Sequence, residues 1–272
     1  MSPPVILQRL IAAVPLWLLV ASVLTLLEVY SVGLMLASRK RWGADRLKLN
    51  NEVAGFKFSV IGTLYAVLLA FFVILVWQNY NATETAVRNE AKAVSDLTQL
   101  SYALPEEQGN AVRTALSDYV HAVRRVEWVT MARGLPSKIA ADALAHLTEA
   151  IFKLDADQLK EHALFQQALH LLASIEDSRY ERLDSSDGSV PSILWFVLIA
   201  GALITLGYPA FFGSSNIIAQ TLMTAVLAAL VGLTLVPAMI LDFPFTGDVG
   251  LSSTDFDEAL RMMPPHLKGS DD

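Results

Sequence analysis

FSVIGTLYAVLLAFFVILVW (Phe58–Trp77) carries no charge over twenty residues and runs directly into QNYNATETAVRNEAKAVSDLTQL (Gln78–Leu100). A helical residue rises about 1.5 Å and the hydrocarbon core of a bilayer is about 30 Å thick, so the first stretch is long enough to cross a membrane as a helix. The second keeps the helical period. Val87, Ala91, Val94 and Leu97 fall on one stripe, and Glu84 stands four residues before Arg88 as a well-oriented ion pair. No glycine or proline lies at the junction. The reading is one long helix that leaves the membrane and enters a water-soluble domain.

Working outward, three more apolar stretches appear, at about 10–37, 193–208 and 218–241. With 54% hydrophobic residues the 272-residue chain is too apolar for an ordinary soluble domain. The first stretch is too long for a signal peptide and is followed by Arg39, Lys40 and Arg41 rather than by a small-residue cleavage site, so it is expected to be retained. The fold class is therefore an all-α membrane protein with four transmembrane helices in two pairs and a helical soluble domain between them. The expected divisions are an N-terminal membrane pair at 1–77, the helical domain at 78–190, a C-terminal membrane pair at 191–241, and a polar tail at 242–272.

Within the domain the punctuation is helical. Leu104-Pro105-Glu106-Glu107 opens a helix that should run to Arg133, with Gly134 ending it and Val112, Leu116, Tyr119, Val123 and Val126 as its apolar stripe. Pro136 starts a shorter helix carrying Ile139, Leu144, Leu147 and Ile151. Asp155 is placed to cap the next, which buries Leu164, Ala168, Leu171, Leu172 and Ile175. The stretch Ser185 to Pro191 breaks it before the third span.

The formal net charge is −7, carried mostly by the middle domain and the C-terminal segment, which disfavours binding to nucleic acid or to anionic lipid surfaces. The basic exception is the short loop holding Arg39, Lys40, Arg41, Arg46 and Lys48. Lys/Arg bias in short loops sets orientation, so this loop is expected in the cytoplasm of a multi-pass inner (plasma) membrane protein, with both termini and the domain on the other side. Cysteine is absent, which removes disulfides, thiolate chemistry and Cys-based zinc sites.

The runs Leu64-Tyr65-Ala66-Val67-Leu68-Leu69-Ala70-Phe71 with Trp77, Val87-Arg88-Asn89-Glu90-Ala91, and Glu127-Trp128-Val129-Thr130-Met131-Ala132-Arg133-Gly134 resemble the bestrophin-like domain family, a set of mostly bacterial membrane proteins. Later blocks agree in order: Ser178-Arg179-Tyr180-Glu181-Arg182-Leu183, Pro191 to Gly201 with Leu194-Trp195, Phe211-Phe212-Gly213, and Leu241-Asp242-Phe243-Pro244-Phe245-Thr246-Gly247. The resemblance implies a remote likeness to bestrophins, pentameric chloride channels whose second helix lines the pore. It also implies a cytosolic domain, the opposite of what the basic loop implies, so the two arguments give opposite expectations.

The second span sets Ser59, Gly62, Thr63, Ala66 and Ala70 along one face. Small residues at this spacing serve close helix packing, or a narrow pore wall in a homo-oligomer, with Phe71 or Ile74 as an apolar constriction. Glu28 is the one acid well inside a span and marks either a functional charge or an interfacial one that reaches water or a base. Asp242 ends the fourth span and reads as a structural partner; Pro237 should bend that helix. His121, His146, His162 and His170 show no metal spacing, and no nucleophile elbow, phosphate loop or dinucleotide fingerprint occurs, so neither catalysis nor a cofactor or metal has positive support. The expected function is an oligomeric ion channel with lipid and an inorganic ion as its partners; the rival is a non-conducting membrane sensor or scaffold.

Overall fold

The computed structural model describes residues 8, 11–154, 159–188, 190–264 and 267. Among these there is helix and no strand. Seven helices matter here: α1 (Leu16–Trp42), α2 (Asn51–Ser101), α3 (Glu106–Ala122), α4 (Lys138–Phe152), α5 (Leu159–Asp184), α6 (Ser192–Gly207) and α7 (Ile217–Leu241). Four of the helical segments are long and apolar enough to cross a membrane: α1, α2, α6 with its 3₁₀ extension to Phe211, and α7. The chain divides into two units, one formed by the described residues up to Gln78 with Val190–Asp242, the other by those from Asn79 to 188 and from Phe243 onward.

In the membrane unit the helices approach through small residues and through hydroxyls that donate to backbone carbonyls of a neighbouring helix, the usual substitute for a hydrophobic drive between helices in lipid. Ser31 Oγ donates to Leu206 O at 2.6 Å and Tyr30 OH to Leu203 O at 3.1 Å, while Ser38 Oγ donates to Ala210 O, so α1 is fastened along α6 and its extension. Gly201 lets α2 approach α6: a Cβ there would lie 2.8 Å from the Tyr65 ring. Phe72 meets Trp195 edge-on at 4.9 Å between ring centroids. Helix α2 begins at Asn51, seven residues before the apolar stretch, and α7 continues through Pro237 to Leu241.

In the second unit α2 contributes Val87, Ala91, Val94 and Leu97, α3 contributes Val112, Leu116 and Tyr119, and Val123 follows directly after α3, all buried in one core. The stripe departs from expectation at Val126, which is only half-buried. A π-turn spans Val123–Glu127, and its extra residue moves the buried row from Val123 to Glu127. Ile139 is likewise exposed, at 58%. Ser137 caps α4 by accepting from Ala140 N, and the buried row then runs Ala140, Leu144, Leu147, Ile151, leaving Ile139 turned about 100° away. In α5 the row is Ala168, Leu171, Leu172 and Ile175, with Leu164 half-buried at its edge; Asp155 lies outside the described residues. Gly134 has a left-handed φ of 69° and follows the last helical turn, where only glycine takes that conformation freely. The segment after Asp242, expected as a polar tail, instead buries Phe243, Phe245, Phe256 and Leu260.

Candidate permeation face and buried charge cluster

Helix α2 has three sides within the membrane. Tyr65, Leu69, Phe72 and Val76 are buried against the other spans. About 100° round from them, Ser59, Thr63, Ala66 and Ala70 are exposed and Gly62 is half-buried, so the small-residue face is not packed against the described residues. At 3.6 residues per turn Ile74, 50% exposed, continues that face, whereas Phe71, 69% exposed, stands about 100° round from Ala70. It belongs to a row of exposed large side chains with Phe56, Val60, Leu64 and Val67. Ser59 Oγ donates to Gly55 O at 3.0 Å and Thr63 Oγ1 to Ser59 O at 2.8 Å. Each hydroxyl proton is thus spent on the helix's own backbone, and what the oxygen presents outward is acceptor lone pairs.

Glu28 is half-buried on α1 and makes no hydrogen bond or ion pair with another described residue. Asp242 is buried at the end of α7; its Oδ1 accepts from Val190 N at 3.1 Å and its Oδ2 from Trp195 Nε1 at 2.8 Å. These bonds tie the last turn of α7 to the first turn of α6. At the opposite ends of the same helices, Asn51 clamps Gly213 by donating Nδ2 to its O at 2.7 Å and accepting its N–H at 2.9 Å. A Cβ on Gly213 would lie 2.4 Å from Lys48 N, so this closure requires glycine.

The second unit holds a charge cluster at positions where a helical stripe should be apolar. Arg182 is fully buried: its Nε and Nη2 donate to the two oxygens of Glu90 at 2.6 and 2.9 Å, and Nη2 also donates to Glu127 Oε2 at 2.9 Å. Glu127 further accepts from Arg179 Nη2 at 2.6 Å and from Ser137 N at 3.3 Å. Tyr119 OH donates to Glu90 Oε1 at 2.6 Å, and the guanidinium of Arg182 lies 5.4 Å from the centre of the Trp128 ring. Burial pushes the Tyr119 hydroxyl well above its ordinary value, and Glu90 adds to the shift. Burial alone would raise the Glu127 carboxyl, but the hydrogen bond and charge of Arg179 with the charge of Arg182 outweigh it, and the net shift is downward. The Arg182 guanidinium is held protonated by Glu90 against the opposing effect of burial. Trp128 continues the network into the C-terminal segment: its Nε1 donates to Leu251 O at 2.9 Å and its ring meets Phe245 and Phe256 edge-on.

Among the described residues no group of three His, Cys, Asp or Glu side chains is placed to hold a metal ion. His146, His162 and His170 are exposed, and His121 reaches Leu267 O at 3.3 Å.

Four apolar spanning helices and an inserted helical unit define an all-α membrane protein. A profile of the bestrophin-like domain matches residues 25–256, and the chain belongs to that family. Its fold is similar to that of a bacterial bestrophin homologue from Klebsiella pneumoniae solved by zinc phasing, at a TM-score of 0.67 and 16% identity over 89% of this chain and 98% of that one. A point mutant of that homologue gives 0.67 at 14% over the same shares, and another crystallised mutant, described as a membrane protein, gives 0.69 at 14% over 90% of this chain and all of the other. At these identities the likeness is one of fold. No curated protein matches the chain in sequence.

Proposed function

We propose that the protein is an ion-permeable, homo-oligomeric membrane protein in which the small-residue face of α2 lines the path. The observation that carries this reading is that Ser59, Thr63, Ala66 and Ala70 remain exposed as a strip of small side chains, between the packed side of α2 and its row of exposed large side chains. A row of small side chains left bare by its own chain is what a narrow lumen between copies of α2 needs, and Ile74 on the same face supplies an apolar constriction that gates by dewetting. The crystallised relatives are bacterial bestrophin homologues, and the bestrophins to which the family is likened are channels.

The chemistry of the face favours cations over chloride. Ser59 and Thr63 offer oxygen lone pairs outward, which attract positive ions, and acids outnumber bases in the helical unit, whose net charge has the same preference. The basic loop from Arg39 to Lys48 lies in the cytoplasm, by the Lys/Arg rule. Native mass measurement tests the assembly: an oligomer is required, because four spans in one chain leave no room for a lumen, and a stable monomer that still conducts would overturn the proposal.

A further inference from the structure

The membrane unit contains a cavity of about 410 Å³ that the permeation face does not use. Phe58, Phe212, Met223 and Leu227 make its apolar walls, and Gln220 and Thr224 its polar part. The volume is within the range of ligand pockets, about 300–1,000 Å³. Met223 is 64% exposed at the rim, so the cavity is reachable from the lipid-facing surface of α7.

Two observations point to an occupant with a polar, negatively charged end. The Thr224 side chain is 96% buried, lines the cavity, and makes no hydrogen bond with any described residue, which leaves its hydroxyl for a ligand. Behind the polar part stands Arg39. Its Nη1 donates to Ser214 O at 2.7 Å and to Gln220 Oε1 at 3.1 Å, both on cavity-lining residues, while Nε and Nη2 have no partner among the described residues. Gln220 is fixed at the same time by donating Nε2 to Phe212 O at 2.7 Å. Lys40 and Arg41 follow in the last turn of α1, and Arg46 and Lys48 in the short helical turn Ala44–Lys48, a density of positive charge that attracts anionic lipid headgroups.

We infer that this cavity is a binding site for an anionic phospholipid, one acyl chain lying against Phe58, Met223 and Leu227 and the headgroup phosphate reaching the Arg39 side. Arginine suits the task because its planar fork can hold Gln220 and Ser214 with one nitrogen and a phosphate with the others.

The test is native mass measurement of the full-length protein in detergent with phosphatidylglycerol, with phosphatidylcholine, or with inorganic phosphate. The expected result is one phosphatidylglycerol retained per chain and phosphatidylcholine about tenfold weaker, the effect of one charge-assisted contact. Met223→Trp, which fills the rim, should abolish retention; Arg39→Gln should erase the preference between the lipids; and Leu26→Trp, on an exposed part of α1, should change neither. Circular dichroism confirms that each variant is folded. Equal retention of the two lipids by the wild type, retention undisturbed in folded Met223→Trp, or inorganic phosphate displacing the lipid at equal concentration would each overturn the proposal.

Discussion

Arg182 grips Glu90 through two nitrogens, Nε to Oε2 at 2.6 Å and Nη2 to Oε1 at 2.9 Å, with neither side chain reaching solvent. A buried pair of this kind adds little over an apolar replacement of both partners, but breaking it from one side is costly because the remaining charge stays buried. Arg182→Met should therefore lower unfolding stability by about 3–5 kcal/mol, and more than Arg88→Met, whose pair with Glu84 is largely exposed. Denaturant unfolding followed by circular dichroism measures both. Equal losses would show that burial is not what matters.

Glu127 makes a matching prediction in pH. Its carboxyl is held below the ordinary value of 4.5 in the folded protein, so it binds a proton more weakly folded than unfolded. A depressed carboxyl stabilises the fold above the unfolded pKa, and that contribution disappears as pH falls through the folded one. The unfolding midpoint should be level with respect to this group from neutral pH to about 5 and should fall below about 4.5. Glu127→Gln should lower stability at pH 7 and flatten the acid slope, a pattern that melting curves between pH 3 and 7 would reveal.

Trp195→Phe removes the indole N–H that Asp242 accepts and keeps most of the ring that meets Phe72. A hydrogen bond to a charged group is worth about 1.5–3 kcal/mol, so thermal unfolding should shift down by an amount of that order. Conserving the ring edge while losing the bond separates the polar contribution from packing.

The fold was largely legible in the residues, and the charge cluster was not. Long uninterrupted apolar runs such as Phe58–Trp77 and Ile217–Leu241 admit one reading in a bilayer, because every backbone group must be satisfied within the helix. The cluster was hidden because its members sit far apart in the chain: Glu90 on α2, Glu127 after α3, and Arg179 and Arg182 on α5. A signal was present in the pattern. Glu90 falls between Val87 and Ala91 on the buried stripe of α2, and Arg182 lies two turns beyond Ile175 on the buried row of α5, so charges stand where apolar residues are due. Val126 leaves the stripe for a related reason, since a π-turn departs from the 3.6-residue period that the stripe follows. The runs that carry the family likeness meet in space as well: Trp195 binds Asp242, and Trp128 stands over Arg182.

Orientation follows from a single labelling experiment, since the chain has no cysteine of its own. Asp45→Cys, in the basic loop, should be protected from a membrane-impermeant maleimide in intact cells, and Glu107→Cys, in the first turn of α3, should be labelled. The reverse pattern would place the helical unit in the cytosol and set aside the Lys/Arg argument.

The measurement that bears most directly on the function is ion flux from liposomes containing the purified protein, under potassium and chloride gradients in turn. The account predicts flux that favours potassium, is abolished by Ala70→Trp on the small-residue face of α2, and is unchanged by Leu26→Trp on the exposed side of α1. Absence of flux from folded protein under either gradient, or flux that Ala70→Trp leaves intact, would contradict it.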